Sequence, residues 1–165
     1  MGRTYLALIV LLLAAPAFAQ EPVGCDKFKW PLDRERAMLA SPTAVASGSE
    51  VRQPLAAATM VTLVPFADAH LPVAPERAPK SPDSYAGFVR VASLPKPGTY
   101  RITLSQGAWI DVIQDGIVVK STASSGATGC DGVRKSVKFE LAPGPIVIEL
   151  SGTTAHAIAV VVTPD

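Results

Sequence analysis

From Ala86 to the end, this chain is a succession of short runs that alternate apolar and polar residues, separated by turns rich in proline and glycine. Side chains on a strand point alternately to opposite faces, so each run carries one apolar face that must be buried against another layer. Residues 88–91, 100–104, 109–114, 117–120, 137–141, 146–150 and 156–162 are read as strands on this basis. Asp115-Gly116 between two apolar runs predicts a two-residue hairpin, because a type I′ turn needs positive φ at both positions. Short strands at this spacing predict an all-β fold, a two-layer antiparallel β-sandwich of jelly-roll type with a short N-terminal helix.

An internal echo supports two packed halves. Aligning Pro97-Gly98 with Pro143-Gly144 places Tyr100, Ile102 and Leu104 over Ile146, Ile148 and Leu150. Each half reads strand, Pro-Gly turn, amphipathic strand. Two such units can close one core between them, and two copies are too few for a solenoid.

The start of the chain is expected to be removed. Met1-Gly2-Arg3 is followed by an unbroken apolar run from Leu6 to Ala15, and Ala17-Phe18-Ala19 has the small-x-small pattern of a signal-peptidase site. Residues 1–19 are therefore read as a signal peptide, cleaved before Gln20. A membrane helix needs about 20 apolar residues, which this run lacks, and Pro16 breaks it. No later stretch is apolar enough to span. The expected location is periplasmic or secreted. The charge balance of 15 Lys+Arg against 14 Asp+Glu becomes 14 against 14 without Arg3. That balance removes the electrostatic case for nucleic acid.

Export decides how the two cysteines are read. In an oxidising compartment Cys25 and Cys130 are most simply one disulfide, tying the mature N-terminus to a loop more than a hundred residues later. The competing reading is lipidation of Cys25, against which Pro22 stands where an aliphatic residue is wanted. A metal site is not expected, because two Cys and two His this scattered show no ligand spacing.

The remaining N-terminal stretch, residues 20–57, holds one helical window at 33–40, with Asp33 as its cap, and a Ser/Ala/Gly/Pro-rich loop at 41–57. Eight residues do not make a stable helix alone, so this one must dock. The sandwich domain is expected over 58–165, beginning with a strand at 59–64. Prolines 65, 72, 75, 79 and 82, with Arg77 and Lys80 between them, predict a crossover loop that hugs the surface.

Residues 86–163 resemble bacterial pre-peptidase C-terminal domains and related jelly-roll carbohydrate-binding modules. Pro97-Gly98-Thr99-Tyr100, Trp109-Ile110-Asp111-Val112-Ile113 before Asp115-Gly116, and Ile146-x-Ile148-x-Leu150-Ser151-Gly152 carry the likeness. The resemblance implies a sandwich and a non-catalytic binding role.

No nucleophile elbow is present, and His70 and His156 stand apart from any carboxylate cluster. No catalytic residue and no cofactor are expected. Trp109 and Asp111, two apart on a strand, share one face, where a ring and a carboxylate can hold a sugar. Arg101 or Tyr100 is expected beside them, on the assumption that strand 100–104 neighbours strand 109–114. The competing reading buries Trp109 in the core and pairs Asp111 with Arg101, Arg134 or Lys138. The cluster Asp33-Arg34-Glu35-Arg36 reads as a solvated helix face. The disulfide would gather Lys27, Lys29, Arg134 and Lys135 into one basic region. The function expected is a secreted or periplasmic binding or accessory module whose partner is a carbohydrate or an envelope protein. The alternatives are a cupin-like metal-dependent dioxygenase or hydrolase, and a structural envelope protein.

Overall fold

The computed structural model describes residues 21–52, 55 and 57–165; the expected signal peptide and its cleavage site lie outside them. After helix α1 (Asp33–Leu39) come β1 (Thr43–Ala46), β2 (Glu50–Val51), β3 (Thr59–Thr62), β4 (Val64–Pro65), β5 (Tyr85–Leu94) and β6 (Gly98–Leu104). There follow β7 (Trp109–Gln114), β8 (Ile117–Val119), β9 (Ser121–Gly126), β10 (Lys135–Leu141), β11 (Gly144–Thr153) and β12 (Ala157–Pro164). Two sheets stack as a sandwich. One runs β1-β3-β12-β6-β10-β9, and the other runs β2-β5-β11-β7-β8, with β4 also on β5.

The alternating runs supply the interior. Val89 and Val91, Tyr100, Ile102 and Leu104, Ile110 and Val112, Val137 and Phe139, and Ile146, Ile148 and Leu150 are buried between the sheets. Asp115 and Gly116 have φ of 52° and 77° and join β7 to β8, with Gln114 opposite Ile117, as the hairpin requires. The two echoed halves do not form hairpins. Each Pro-Gly turn carries the chain from one sheet to the other, β5 to β6 in one half and β10 to β11 in the other, so the aligned apolar triplets face each other across the core.

Three expectations are corrected here. Residues 43–46 and 50–51 are not loop: β1 pairs with β3 and β2 with β5, both in parallel, so the sheets are mixed rather than purely antiparallel. Asp33 does not cap α1. Leu32 occupies the cap position without a side-chain bond, and Asp33 lies in the first turn, where its charge suits the helix dipole.

Cys25 and Cys130 form the expected disulfide. It clamps the N-terminal segment onto the outer face of the first sheet. There Leu32 and Leu39 pack on Ala159 and Val161 of β12, whose alternate residues Ile158, Val160 and Val162 face the sandwich core. Burial on both faces explains why β12 is Ala/Val-rich throughout. Each leucine so buried stabilises the cover by about 1.5–3 kcal/mol. Of the charged run on this helix, Asp33 and Arg34 are exposed as expected, but Glu35 is not: it is 1% exposed, accepts a bond from Thr163 Oγ1 at 2.6 Å, and lies 3.4 Å from Arg101 Nη1.

Candidate functional site

The outer face of the second sheet is covered differently. Between β4 and β5 the proline-rich segment forms a strap across β11 and β7. Its prolines cannot donate, and its free N–H groups find side chains below. Val73 N donates to Glu149 Oε1 at 2.9 Å and Glu76 N to Asp111 Oδ2 at 3.4 Å. Asp111 on β7 and Glu149 on β11 stand directly opposite each other in the antiparallel register. Both are covered, at 3% and 1% exposure. The second carboxylate oxygen of Glu149 is buried with no hydrogen-bond partner. Burial pushes both carboxyls up from their ordinary values. For Asp111 the Trp109 and Glu76 bonds oppose the shift, and for Glu149 the Val73 bond does, while the Asp111 charge adds to it.

Trp109 begins β7 and is half-buried. Its indole N–H donates to Asp111 Oδ1 at 2.8 Å. Two cations stand over the ring, Arg77 of the strap at 5.4 Å from the centroid and Lys135 at the start of β10 at 5.1 Å. The Lys135 ammonium also donates to Ala108 O at 2.8 Å. Its pKa is lowered by burial first, then by Arg77 and Arg134, with Asp111 acting in the opposite sense.

Trp109, Arg77 and Lys135 line a cleft of about 490 Å³ at one end of the sandwich, where strap, both sheets and N-terminal segment converge. Arg77, Lys80, Arg134 and Lys135 bring four cations to the cleft, and Glu21 is the acidic residue of the lining. Glu21 forms an ion pair with Arg134. It is held there because Pro22 O accepts from Thr128 N at 2.9 Å and Gly24 N donates to Thr128 O at 2.8 Å, close to the disulfide.

The sequence-predicted residues are divided by this geometry. Trp109 and Asp111 lie together as expected, but Asp111 is partnered by the indole and a backbone N–H rather than by Arg101, Arg134 or Lys138. Arg101 and Tyr100 are elsewhere, because β6 and β7 belong to opposite sheets. Tyr100 is in the core, its hydroxyl donating to Lys96 O, and Arg101 binds Glu35 and Asp165 beneath the N-terminal cover. The expected basic region is also redrawn. Arg134 and Lys135 line the cleft, but Lys27 pairs with Asp26, and the further cations come from the strap. The sequence reading does not single out Glu149, Arg77, Lys80 or Glu21 as site residues. The charges between the prolines were the available signal for Arg77 and Lys80; Glu149 needed the β7–β11 register, which joins residues far apart in sequence.

Among the described residues, no three His, Cys, Asp or Glu side chains gather as a metal site. No described helix is long and apolar enough to cross a membrane. His156 stacks on Tyr85 with ring centroids 4.2 Å apart, and His70 sits in the strap with φ 41°. Comparison with family models, curated proteins and solved structures yields no match.

Proposed function

We propose that the chain is an exported, non-catalytic binding module, periplasmic or secreted, that takes an anionic glycan in the Trp109 cleft. Two cations, Arg77 and Lys135, stand over one half-buried tryptophan in a cleft that Lys80 and Arg134 also line, and this carries the reading. Guanidinium and ammonium groups are the donors that carboxylate and sulfate groups require. A neutral sugar would stack on a bare ring, whereas this ring already holds two cations, so charge rather than stacking selects the ligand. Export rests on the leader pattern and is supported by the disulfide, a bond that persists in oxidising compartments. A binding role is also what the likeness of residues 86–163 to carbohydrate-binding modules implies. The paired carboxylates favour no hydrolase reading, since the strap covers them.

Titration calorimetry with dextran sulfate and with neutral dextran tests the proposal. Dextran sulfate is expected to bind with an affinity that falls as salt rises, because exposed charge pairs are screened. Arg77→Ala and Lys135→Ala should each weaken it about tenfold, the loss of one charge-assisted contact. Equal binding of neutral dextran, or no binding of either, would overturn it.

A further inference from the structure

The carboxylates under the strap have no role in holding an anion, yet the strap and the Trp109 indole of the cleft are both bonded to them. Directly opposed residues of an antiparallel pair bring their Cβ atoms to about 5 Å, where like charges destabilise the sheet. Asp111 and Glu149 are such a pair, and both are buried. Each accepts one strap N–H, and the remaining Glu149 oxygen has no donor. One proton held between two carboxyls answers both problems: it removes a charge and provides the missing donor. The surroundings are mixed in sign. The strap brings the Glu76 carboxylate and, one residue on, Arg77 over the Trp109 ring; β7 brings the indole N–H; β10 brings Lys135; and from β5 the residue opposite Glu149 is the uncharged Phe88.

We infer that Asp111 and Glu149 act as one proton-binding pair, and that an anion entering the cleft draws a proton from solvent onto that pair. This rests on the proposed anion-binding role. Lys135 and Arg77 offset the negative charge of the pair while the cleft is empty, and an anion takes up that positive field. The pair then binds its proton more tightly. Coupling of two binding events is reciprocal, so a protonated pair also tightens anion binding. The path is short, because the Trp109 indole bonded to Asp111 carries on its ring the two cations that meet the ligand.

Two measurements on the exported mature protein separate this from the anion-binding reading. Side-chain carboxyl ¹³C resonances, followed against pH without ligand, should show the pair titrating in two coupled steps, one above the ordinary carboxylate range of about 4. Glu149→Gln keeps an oxygen for Val73 N and should return Asp111 to a single step. Calorimetry of dextran sulfate, whose sulfates stay ionised, in two buffers of different ionisation enthalpy should then show proton uptake on binding. Uptake should approach one proton, with affinity changing up to ~tenfold per pH unit where the pair titrates. In Glu149→Gln the uptake should vanish. Binding without uptake would overturn the coupling and leave the anion-binding reading standing. Absence of binding would overturn that reading and the coupling together, and independent titration of both carboxyls near 4 would overturn the pair itself.

Discussion

The two outer faces of the sandwich are both covered, by covers of opposite chemistry. Over β12 and β6 the N-terminal segment contributes leucines, a disulfide and a buried acid, Glu35, that meets Thr163 and Arg101. Over β7 and β11 the strap contributes prolines, cations and two backbone donors, and the sheet answers with two buried carboxyls set directly opposite each other. The first arrangement pairs its buried acid with a hydroxyl and a guanidinium and buries its leucines on the sheet. The second spends stability on an electrostatic conflict, and such conflicts collect where a protein binds or reacts. One cover fastens the molecule; the other, on the reading proposed above, responds to proton and ligand.

The largest test of that contrast is to unfasten the first cover. Replacing both cysteines by serine releases a loop of sequence separation 105 and should cost about 4–5 kcal/mol in chemical denaturation, on the chain-entropy account. A loss under about 1 kcal/mol would mean that the apolar packing of α1 holds the cover by itself. Glu35→Ala should cost about 3 kcal/mol, since it leaves Arg101 partly buried without one of its carboxylates and Thr163 without its acceptor. Asp165 at 3.2 Å keeps the loss at the lower end. Arg101→Ala should likewise destabilise the fold and leave anion binding unchanged. A binding defect in Arg101→Ala would show that the two covers are not independent.

The second cover should respond to pH, in a direction fixed by the raised carboxyls. An acid whose pKa is higher folded than unfolded binds more protons in the folded state, so stability falls as pH rises from the unfolded value, about 4, through the folded one. Denaturation midpoints are therefore expected to fall between weakly acidic and neutral pH. Glu149→Gln replaces the unpartnered oxygen by a donor facing Asp111, and should stabilise the fold at pH 7 by about 1–3 kcal/mol while flattening that slope. Destabilisation at pH 7 with an unchanged slope would place the pH response elsewhere.

Local chemistry was legible in the sequence; long-range pairing was not. The Asp115-Gly116 turn needs two positive φ angles and announces itself in two residues. Once the leader pattern is read as a sign of export, two cysteines have one partner each, so the staple could be read without geometry. Trp109 and Asp111 share a face because strand side chains repeat every second residue, which is again local. Arg101 was misplaced for the opposite reason. Consecutive amphipathic strands look the same whether they pair in one sheet or cross between two, and β6 and β7 cross. Strands β1 and β2 were missed because edge strands of two to four residues bury little and carry no alternation. Glu35 and Glu149 read as solvent-facing polar positions, and only the packing of helix and strap against the sheets buries them.

The smallest expected effect bears on what the cleft selects. Glu21 stands beside Arg134 as a carboxylate within the chain, held there by the backbone bonds next to the disulfide. It is therefore a competitor for the guanidinium that an incoming anion would use. Its side chain is 64% exposed, and exposed ion pairs contribute about 0.2–1 kcal/mol. Displacing Glu21 should cost a ligand no more than that. Glu21→Gln removes the competitor and one negative charge while preserving shape, so affinity for dextran sulfate should rise by roughly twofold to fivefold at low salt, a gain that shrinks as salt screens the cleft. Stability should move by less than about 1 kcal/mol. If Glu21→Gln weakens binding, Glu21 is instead aligning Arg134 for the ligand, and the N-terminal segment belongs to the site as a positioning element rather than as a rival occupant.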